Sequence, residues 1–482
     1  MASTFVGRVA ELRLLQKRLD LVAATGEGVA LALRGRRQVG KSRLVQEFCD
    51  RAGVPFLFYA ATKGTSPVEA VGEFAAELRA SRLPTDPGLV PTVQTGSWLD
   101  AFRALAAALP LTPSVVVLDE LPWLAEQDPT FDGVLQTAWD RLLRSRPVLL
   151  LLLGSDLHMM ERLTAYDRPF FGRADHHTLG PLNPSEVASA LGLQGADAID
   201  AYLTCGGLPG ILRTWPHGTP ALEFIKRECD DPAAPLLTVP ESTLSAEFPA
   251  PDQARRVLEA VGTGDRTQAN IAVTAGGRQG AIPSGSLSPL LRRLVEDKRV
   301  LAVDEPLSTV RGRPALYRVA DSNLRLYLGM LRTVHEQARR DRGAAAYRVV
   351  TRRWTSWRGR AVEPVIRESL DRARTNEDFP WPDTEVVGGW WNRQFDPEVD
   401  LVGADRAPVA GRVTFVGSIK WLDSPFDAHD LSDLHVSAAQ VPGFVAGRTG
   451  LVTASRSGTA FELKSAGVGL HWSPEDVLAA WA

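Results

Sequence analysis

The sequence predicts an α/β fold, and three runs carry that expectation. Residues 29–33 are a short apolar stretch that enters a glycine loop at 35–42, spelled G-x-x-x-x-G-K-S, and leaves through the amphipathic stretch 44–49. Residues 113–120, P-S-V-V-V-L-D-E, are β-branched and apolar and end in two carboxylates. Residues 148–153 are continuously apolar, as a parallel strand covered by helices on both faces must be. Strand, glycine loop, helix and a second acid-tipped strand, in that order, predict a parallel sheet built around a phosphate-binding loop.

The loop is made of Gly35, Arg36, Arg37, Gln38, Val39, Gly40, Lys41 and Ser42, with Arg43 following. Its backbone N–H groups are expected to point inward at a phosphate, and the helix N-terminus adds a positive dipole. Lys41 supplies a point charge to the β- and γ-phosphates and Ser42 offers its hydroxyl to Mg²⁺. Gly35 and Gly40 are expected because a side chain there would block the approach of backbone to phosphate. ATP with Mg²⁺ is the expected cofactor. Asp119 is expected to hold the metal shell together with Ser42, and Glu120 to take a proton from the attacking water.

Ahead of the loop, Phe5-Val-Gly7-Arg8 precedes a helical-looking stretch at 11–21. This entry resembles the start of AAA+ and signal-transduction (STAND) ATPases, which implies that Gly7 and Arg8 lie against an adenine. Residues 131–143 read as a helix on the spacing of Val134, Leu135, Ala138, Leu142 and Leu143. The strand at 148–155 ends in Gly154-Ser155-Asp156, where such ATPases place a polar residue that senses the γ-phosphate. Ser155 is the candidate, and a small residue in a tight turn explains it equally well. Arg173 follows an aromatic and proline-rich loop at 166–171 and is placed to spread transition-state charge. The alternatives are an ion pair with a nearby carboxylate, or Arg168 in its stead.

Residues 118–142, with L-D-E-L-P-W-L-A-E-Q-D-P and L-Q-T-A-W-D, are similar to a family of prokaryotic ATPases widespread in archaea. These join an AAA+/STAND-like ATPase to a winged helix and a C-terminal nuclease-like domain. Phe171-Gly-Arg173, Leu179-Gly-Pro-Leu182 and Gly206-Gly-Leu-Pro209 fall where that family has its arginine, a return strand and a G-x-P turn in a helical lid. The resemblance implies ATP binding and hydrolysis with a switch coupled to DNA or a protein partner, and leaves homo-oligomerisation open.

From residue 251 the pattern changes. Stretches at 254–261, 268–273 and 286–295 read as short helices, and 299–303 with 315–319 as a strand pair, which together predict a winged helix-turn-helix. Its third helix, carrying Arg292 and Arg293, would enter a major groove, and Arg311 and Arg313 of the wing would meet phosphate. Pro289 in that helix is tolerable only in the first turn. DNA contact and protein packing stay equally open. Arg339, Arg340, Arg342, Arg348, Arg352, Arg353, Arg358 and Arg360 then interleave with Trp354 and Trp357. They read as a phosphate-contacting strip or as a solvated helix face with two core tryptophans.

Residues 359–363 open a helix, and 398–402 and 413–421 read as strands. Glu363, Asp400 and Lys420 on these elements resemble the restriction-endonuclease-like core of PD-(D/E)xK nucleases, whose second strand carries Glu-x-Lys. Here Ser418 stands two before Lys420, and a neutral hydroxyl does not replace a metal-bridging carboxylate. The site is expected to be degenerate unless Glu363, Glu398 or another carboxylate stands in.

The 482 residues suit about three domains, expected as an ATPase core with helical lid at 1–230, a winged helix at 231–332 and a nuclease-like α/β domain at 333–482. The 44% hydrophobic and 23% charged content is that of a soluble globular protein. A net charge of −3 confines any nucleic-acid role to local patches. No run is long enough to span a bilayer, no signal-peptide pattern opens the chain, and Cys49, Cys205 and Cys229 lack metal spacing, so the expected location is cytoplasmic. The leading expectation is a switch ATPase. An ATP-controlled DNA endonuclease and a slowly hydrolysing, nucleotide-binding docking scaffold are the alternatives.

Overall fold

A computed structural model describes residues 5–83, 96–163, 166, 168, 170–248, 252–311, 314–460, 462 and 466–482. Its contacts divide the chain into two units, Met1–Pro181 and Leu182–Ala482. Arg313 of the expected wing lies outside the described residues.

The first unit is built on five parallel strands: β1 (Val29–Arg34), β2 (Phe56–Ala60), β3 (Ser114–Asp119), β4 (Val148–Gly154) and β5 (Asp175–Thr178). They lie in the order β2-β3-β4-β1-β5. Val115 to Leu118 and Leu149 to Leu153 are all buried, because helices cover both faces of a parallel sheet. Tyr59, Phe74, Trp98, Phe102 and Phe131 pack edge-on and tilted with centroids 5.1–6.3 Å apart, the preferred geometry of aromatic quadrupoles. The chain leaving β1 crosses towards β2, whereas the chain leaving β4 crosses towards β5. Neighbouring strands whose connections part in this way open a crevice at their carboxyl ends, where open α/β sheets bind ligands. The helix expected at 131–143 runs as α-helix over Phe131–Ala138 and widens to a π-turn over Trp139–Leu143.

In the second unit, helices Gln253–Thr263, Gln268–Gly276 and Ser284–Glu296 precede an antiparallel ribbon of β6 (Leu301–Asp304) and β7 (Leu316–Val319). The third helix starts earlier than the sequence suggests, so Pro289 falls in its second turn. The bond it forgoes is the one to the carbonyl of Gly285, in the first turn of the helix. A second sheet follows, in the order β12-β11-β10-β9-β8. Its strands are β8 (Val386–Trp391), β9 (Glu398–Ala404), β10 (Val413–Lys420), β11 (Gly450–Ser455) and β12 (Leu470–Trp472). β8, β9 and β10 pair antiparallel, and β10, β11 and β12 pair parallel. Alternation sends Leu401 and Phe415 to the face covered by Val362, Ile366 and Leu370, and Val402 and Val416 to the face covered by Leu434 and Ala438.

One sequence reading is revised here, and one set of helices has contacts the sequence did not announce. Glu363 does not open a helix: it lies well inside the 31-residue helix Gly343–Ala373, which also carries most of the arginine-dense stretch. The helices after Pro184, expected with the ATPase core, belong by their contacts to the second unit. Asp200 on Gly195–Cys205 explains why. Its Oδ2 accepts from Arg358 Nη1 at 3.0 Å and its Oδ1 from Trp421 Nε1 at 3.0 Å, with Arg456 Nη2 at 3.4 Å. Asp200 and Arg358 are both buried. Burial pushes the Asp200 carboxyl upward, and Arg358 opposes that push.

Removing one member of a buried ion pair strands the other. Asp200→Ala is therefore expected to cost the second unit about 3–5 kcal/mol, and Asp197→Ala, at the exposed pair with Arg456, less than about 1 kcal/mol. Urea unfolding of the two variants measures the contrast, and equal losses would show that the Asp200 cluster does not hold these elements together.

Candidate functional site

The glycine loop connects β1 to the helix Lys41–Ala52. Gly40 caps that helix at φ 92°, a conformation open to glycine at no steric cost. Gln38 adopts φ 67°. Lys41 is buried and folds back into its own loop, donating from Nζ to the carbonyls of Gly35 at 2.6 Å and Arg36 at 3.1 Å. Val39 is buried beneath the loop, while Arg37 and Gln38 form its outer turn. Gly35 has a packing reason beyond the expected one: a Cβ there would meet the carbonyl oxygen of Leu179 at 2.5 Å and Val39 Cγ2 at 3.2 Å.

The acid pair ends β3, two strands from β1. Ser42 Oγ donates to Asp119 Oδ2 at 2.5 Å, so the two residues expected at a metal are in direct contact. Asp119 Oδ1 accepts the N–H of Glu120 at 2.8 Å. This bond steadies Glu120 at φ 54°, which is uncommon for a residue with a long side chain. Glu120 Oε2 in turn accepts from Ser155 Oγ at 2.8 Å. Ser155 follows β4, the strand lying between β3 and β1, which is why it reaches the acid pair. Gly154 beneath it leaves no room for a side chain, since a Cβ would lie 2.4 Å from Met160 Sδ.

The flanking residues divide. Gly7 and Arg8 take φ 69° and 63°. Arg8 is buried, and its Nη2 donates to Val39 O and Gly180 O at 2.8 Å each while its Nη1 pairs with Glu11 at 3.1 Å. The guanidinium thus braces the loop from outside through backbone carbonyls. Arg43 pairs with Glu47 one turn along the helix at 3.0 Å. Arg173 forms a two-pronged pair with Asp140 at 2.9 and 2.8 Å, and this holds the Asp140 carboxyl below its ordinary range. Arg168 is half-buried. Arg8, Gln38 and Glu120 are half of the non-glycine residues with positive φ among the described residues, and such strain concentrates where function constrains the backbone. The ion pair weighed for Arg173 is present, with Asp140 as its carboxylate; no sequence spacing links Arg173 to Asp140 or Arg8 to Val39, so the partners themselves escaped sequence reasoning.

The second candidate constellation lies in the second unit. Asp400 on β9 accepts from Ser418 Oγ at 3.1 Å and from the Ile419 N–H at 2.8 Å. Arg367, one helical turn after Glu363, donates to the Asp400 carbonyl at 2.7 Å and pairs with Glu363 at 3.4 Å. Burial pushes Glu363 up to about 7; Arg367 draws it down and Asp400 pushes it further up. Asp400 is also raised by burial. Lys420 pairs with Asp430 at 2.5 Å, and Glu398 gives both oxygens to Arg266 at 3.0 and 2.9 Å. Asp400, Ser418, Lys420 and Glu398 therefore line one small cavity, with Lys420 and Glu398 each held by a further partner, while Glu363 reaches Asp400 through Arg367. Among the described residues no group of three or more His, Cys, Asp or Glu is arranged to hold a metal ion. Arg367 and Asp430, the residues that complete these pairings, were not singled out from the sequence; Arg367, at i+4 from Glu363, was the one with a helical signal.

No family model matches the chain. It is 21% identical over 424 residues to an uncharacterized protein of Methanocaldococcus jannaschii, covering 87% of this chain and 88% of that one. Among solved structures it is similar to a Walker-type ATPase of Pyrococcus abyssi, at 18% identity and TM-score 0.49, covering 67% of this chain and 96% of that one. It is also similar to the ORC2 protein of Aeropyrum pernix in its ADPNP–ADP complexes, at 13% identity and TM-score 0.44, covering 71% and 98%. Among the described residues no helix is long and apolar enough to cross a membrane.

The packing around Gly35 yields a test. Gly35→Ala must displace backbone at Leu179, and overpacking of this kind costs about 1–3 kcal/mol. Thermal unfolding should show the loss even without nucleotide, and an unchanged melting temperature would leave only the phosphate-facing reason for this glycine.

Proposed function

We propose that the chain is an AAA+/STAND-like ATPase that binds ATP with Mg²⁺, hydrolyses it and couples nucleotide state to a DNA or protein partner. One observation carries the reading: at the carboxyl ends of β1, β3 and β4, Ser42 bonds Asp119 and Ser155 bonds Glu120, while Lys41, beside Ser42, is held by the loop's own carbonyls. An ammonium, a hydroxyl and a carboxylate are the donor set that a nucleotide's phosphates and a hard cation take. Bound MgATP would supply the phosphoryl group and the charge that draws water onto it.

The chain's residues then have separable tasks. Gly35 to Arg43 wrap the phosphates, and Lys41 exchanges two loop carbonyls for phosphate oxygens. Ser42 and Asp119 present two hard oxygens to the metal. Ser155 holds Glu120 by Oε2, which leaves Oε1 to accept a proton. Arg173 is the arginine this reading assigns to spreading charge, and it acts only after leaving Asp140. That partly exposed pair is worth about 0–1 kcal/mol, so release is cheap. Gly7 and Arg8 flank the base and brace the loop. We read 1–230 as the ATPase region with its lid, 231–332 as a winged helix, and 333–482 as a nuclease-like domain without cleavage activity, since Asp400 bonds Ser418 where a carboxylate would be required.

Lys41→Ala should weaken MgATP binding at least about tenfold, roughly 1.4 kcal/mol. Glu120→Gln should lower turnover roughly 10²-fold or more while ATP still binds, because an amide cannot accept a proton. Calorimetric titration and phosphate release measure the two effects. Unchanged binding by a folded Lys41→Ala protein would remove the nucleotide assignment.

Wild-type protein should not cut single- or double-stranded DNA with Mg²⁺ or Mn²⁺. Cleavage that disappears in Asp400→Ala would establish a working nuclease, and cleavage gained only by Ser418→Glu would identify the missing carboxylate as the lesion.

A further inference from the structure

A cavity of about 270 Å³ in the second unit lies among the helix Gln253–Thr263, strand β7 and the helix Gly343–Ala373. Seven arginines and two carboxylates line it, a formal excess of five positive charges. Three of the arginines are occupied: Arg266 with Glu398, Arg318 with Asp304, and Arg367 with Glu363. The guanidinium groups of the other four, Arg325, Arg352, Arg353 and Arg360, make no hydrogen bond or ion pair among the described residues. Trp357, in the same wall, has its Nε1 buried without a hydrogen-bond partner.

This arrangement is costly by itself. Like charges gathered around one space repel, and a buried donor without an acceptor costs about 1–3 kcal/mol. Burial draws the Arg325 guanidinium down to about 10, Glu363 and Asp304 oppose the fall, and Arg318 and Arg266 add to it. Arg352, Arg353 and Arg360 are exposed and meet water, so what stays unmet is an acceptor for the buried Trp357 N–H and negative charge to balance the cavity's excess of positive charge. An anion that accepts several N–H bonds supplies both together, and guanidinium forks match the oxygens of phosphate. The volume lies below the roughly 300–1,000 Å³ of drug-sized ligand sites, a size that suits a phosphate or short polyphosphate and not a whole nucleotide.

We propose that this cavity is a second anion site, separate from the glycine loop, that receives a multiply charged phosphate group. The group comes from a small polyphosphate or from the backbone of a nucleic acid. It is bound by Arg325, Arg352, Arg353 and Arg360, with the Trp357 indole N–H as a neutral donor. The site does not depend on the ATPase reading, since none of these residues belongs to the loop.

The test uses the full chain with two probes, inorganic tripolyphosphate by calorimetry and a fluorescent duplex oligonucleotide by anisotropy. Both are run at two salt concentrations. Wild type is compared with Arg352→Ala/Arg360→Ala, which changes two exposed side chains, with Arg325→Lys, and with Lys41→Ala as the control for phosphate bound at the loop. The double variant should weaken binding of at least one probe by about tenfold or more, Arg325→Lys should weaken it less, and Lys41→Ala should leave this component unchanged. A loss confined to tripolyphosphate identifies a small-polyphosphate site. A loss of duplex binding, with a shallower salt dependence, identifies the nucleic-acid backbone. Binding of both probes that the double variant leaves intact, or that only Lys41→Ala abolishes, overturns the proposal.

Discussion

The position of β4 between β3 and β1 is the constraint on which the candidate site depends. It sets the carboxyl ends of three strands side by side and gives each a different chemical end. β1 runs into the loop with its ammonium, β3 stops at two carboxylates, and β4 stops at a hydroxyl. Two side-chain bonds then tie the three ends, Ser42 to Asp119 and Ser155 to Glu120. A parallel sheet with its strands buried on both faces is rigid, so these bonds link groups that the backbone has already brought close.

The loop is satisfied from both sides. Lys41 supplies the carbonyls of Gly35 and Arg36 from within, and Arg8 supplies Val39 from without while reaching Gly180 beyond β5. Buried carbonyls left without donors would be expensive. The left-handed backbone at Arg8, Gln38, Gly40 and Glu120 persists because such bonds and the close packing at Gly35 over-determine it. The strain and the bonds that hold it belong to one small region.

The strands β1, β3 and β4, the glycine loop and the acid pair were legible because each is a contiguous run whose chemistry is local. The apolar runs at 115–118 and 149–153 announce burial, and G-x-x-x-x-G-K-S announces its loop. What was not legible was long-range partnership. The choice of Asp140 as the carboxylate for Arg173, the bracing by Arg8 and the burial of Asp200 against Arg358 join residues that no period or spacing connects. The Asp200 cluster also explains why helices expected with the first sheet sit with the second unit. The arginine-dense stretch was ambiguous because a phosphate-contacting strip and a solvated helix face have the same periodicity; its arginines are exposed except Arg358, Trp354 is buried, and Arg352, Arg353 and Arg360 also line the cavity beside Gln253–Thr263 and β7.

The helix Gly343–Ala373 runs for about 46 Å at 1.5 Å per residue, and it contains Pro364 immediately after Glu363. Proline has no N–H, so the rung that would bind the carbonyl of Arg360 is missing. The rod is most compliant at that joint. On one side lie Arg352, Arg353 and Arg360; on the other lies Arg367 with its grip on Asp400. The missing rung thus falls between the arginine half and the Arg367 contact with Asp400, where Ala361, Val362, Val365 and Ile366 pack on the sheet's core and hold the helix in place of the lost bond.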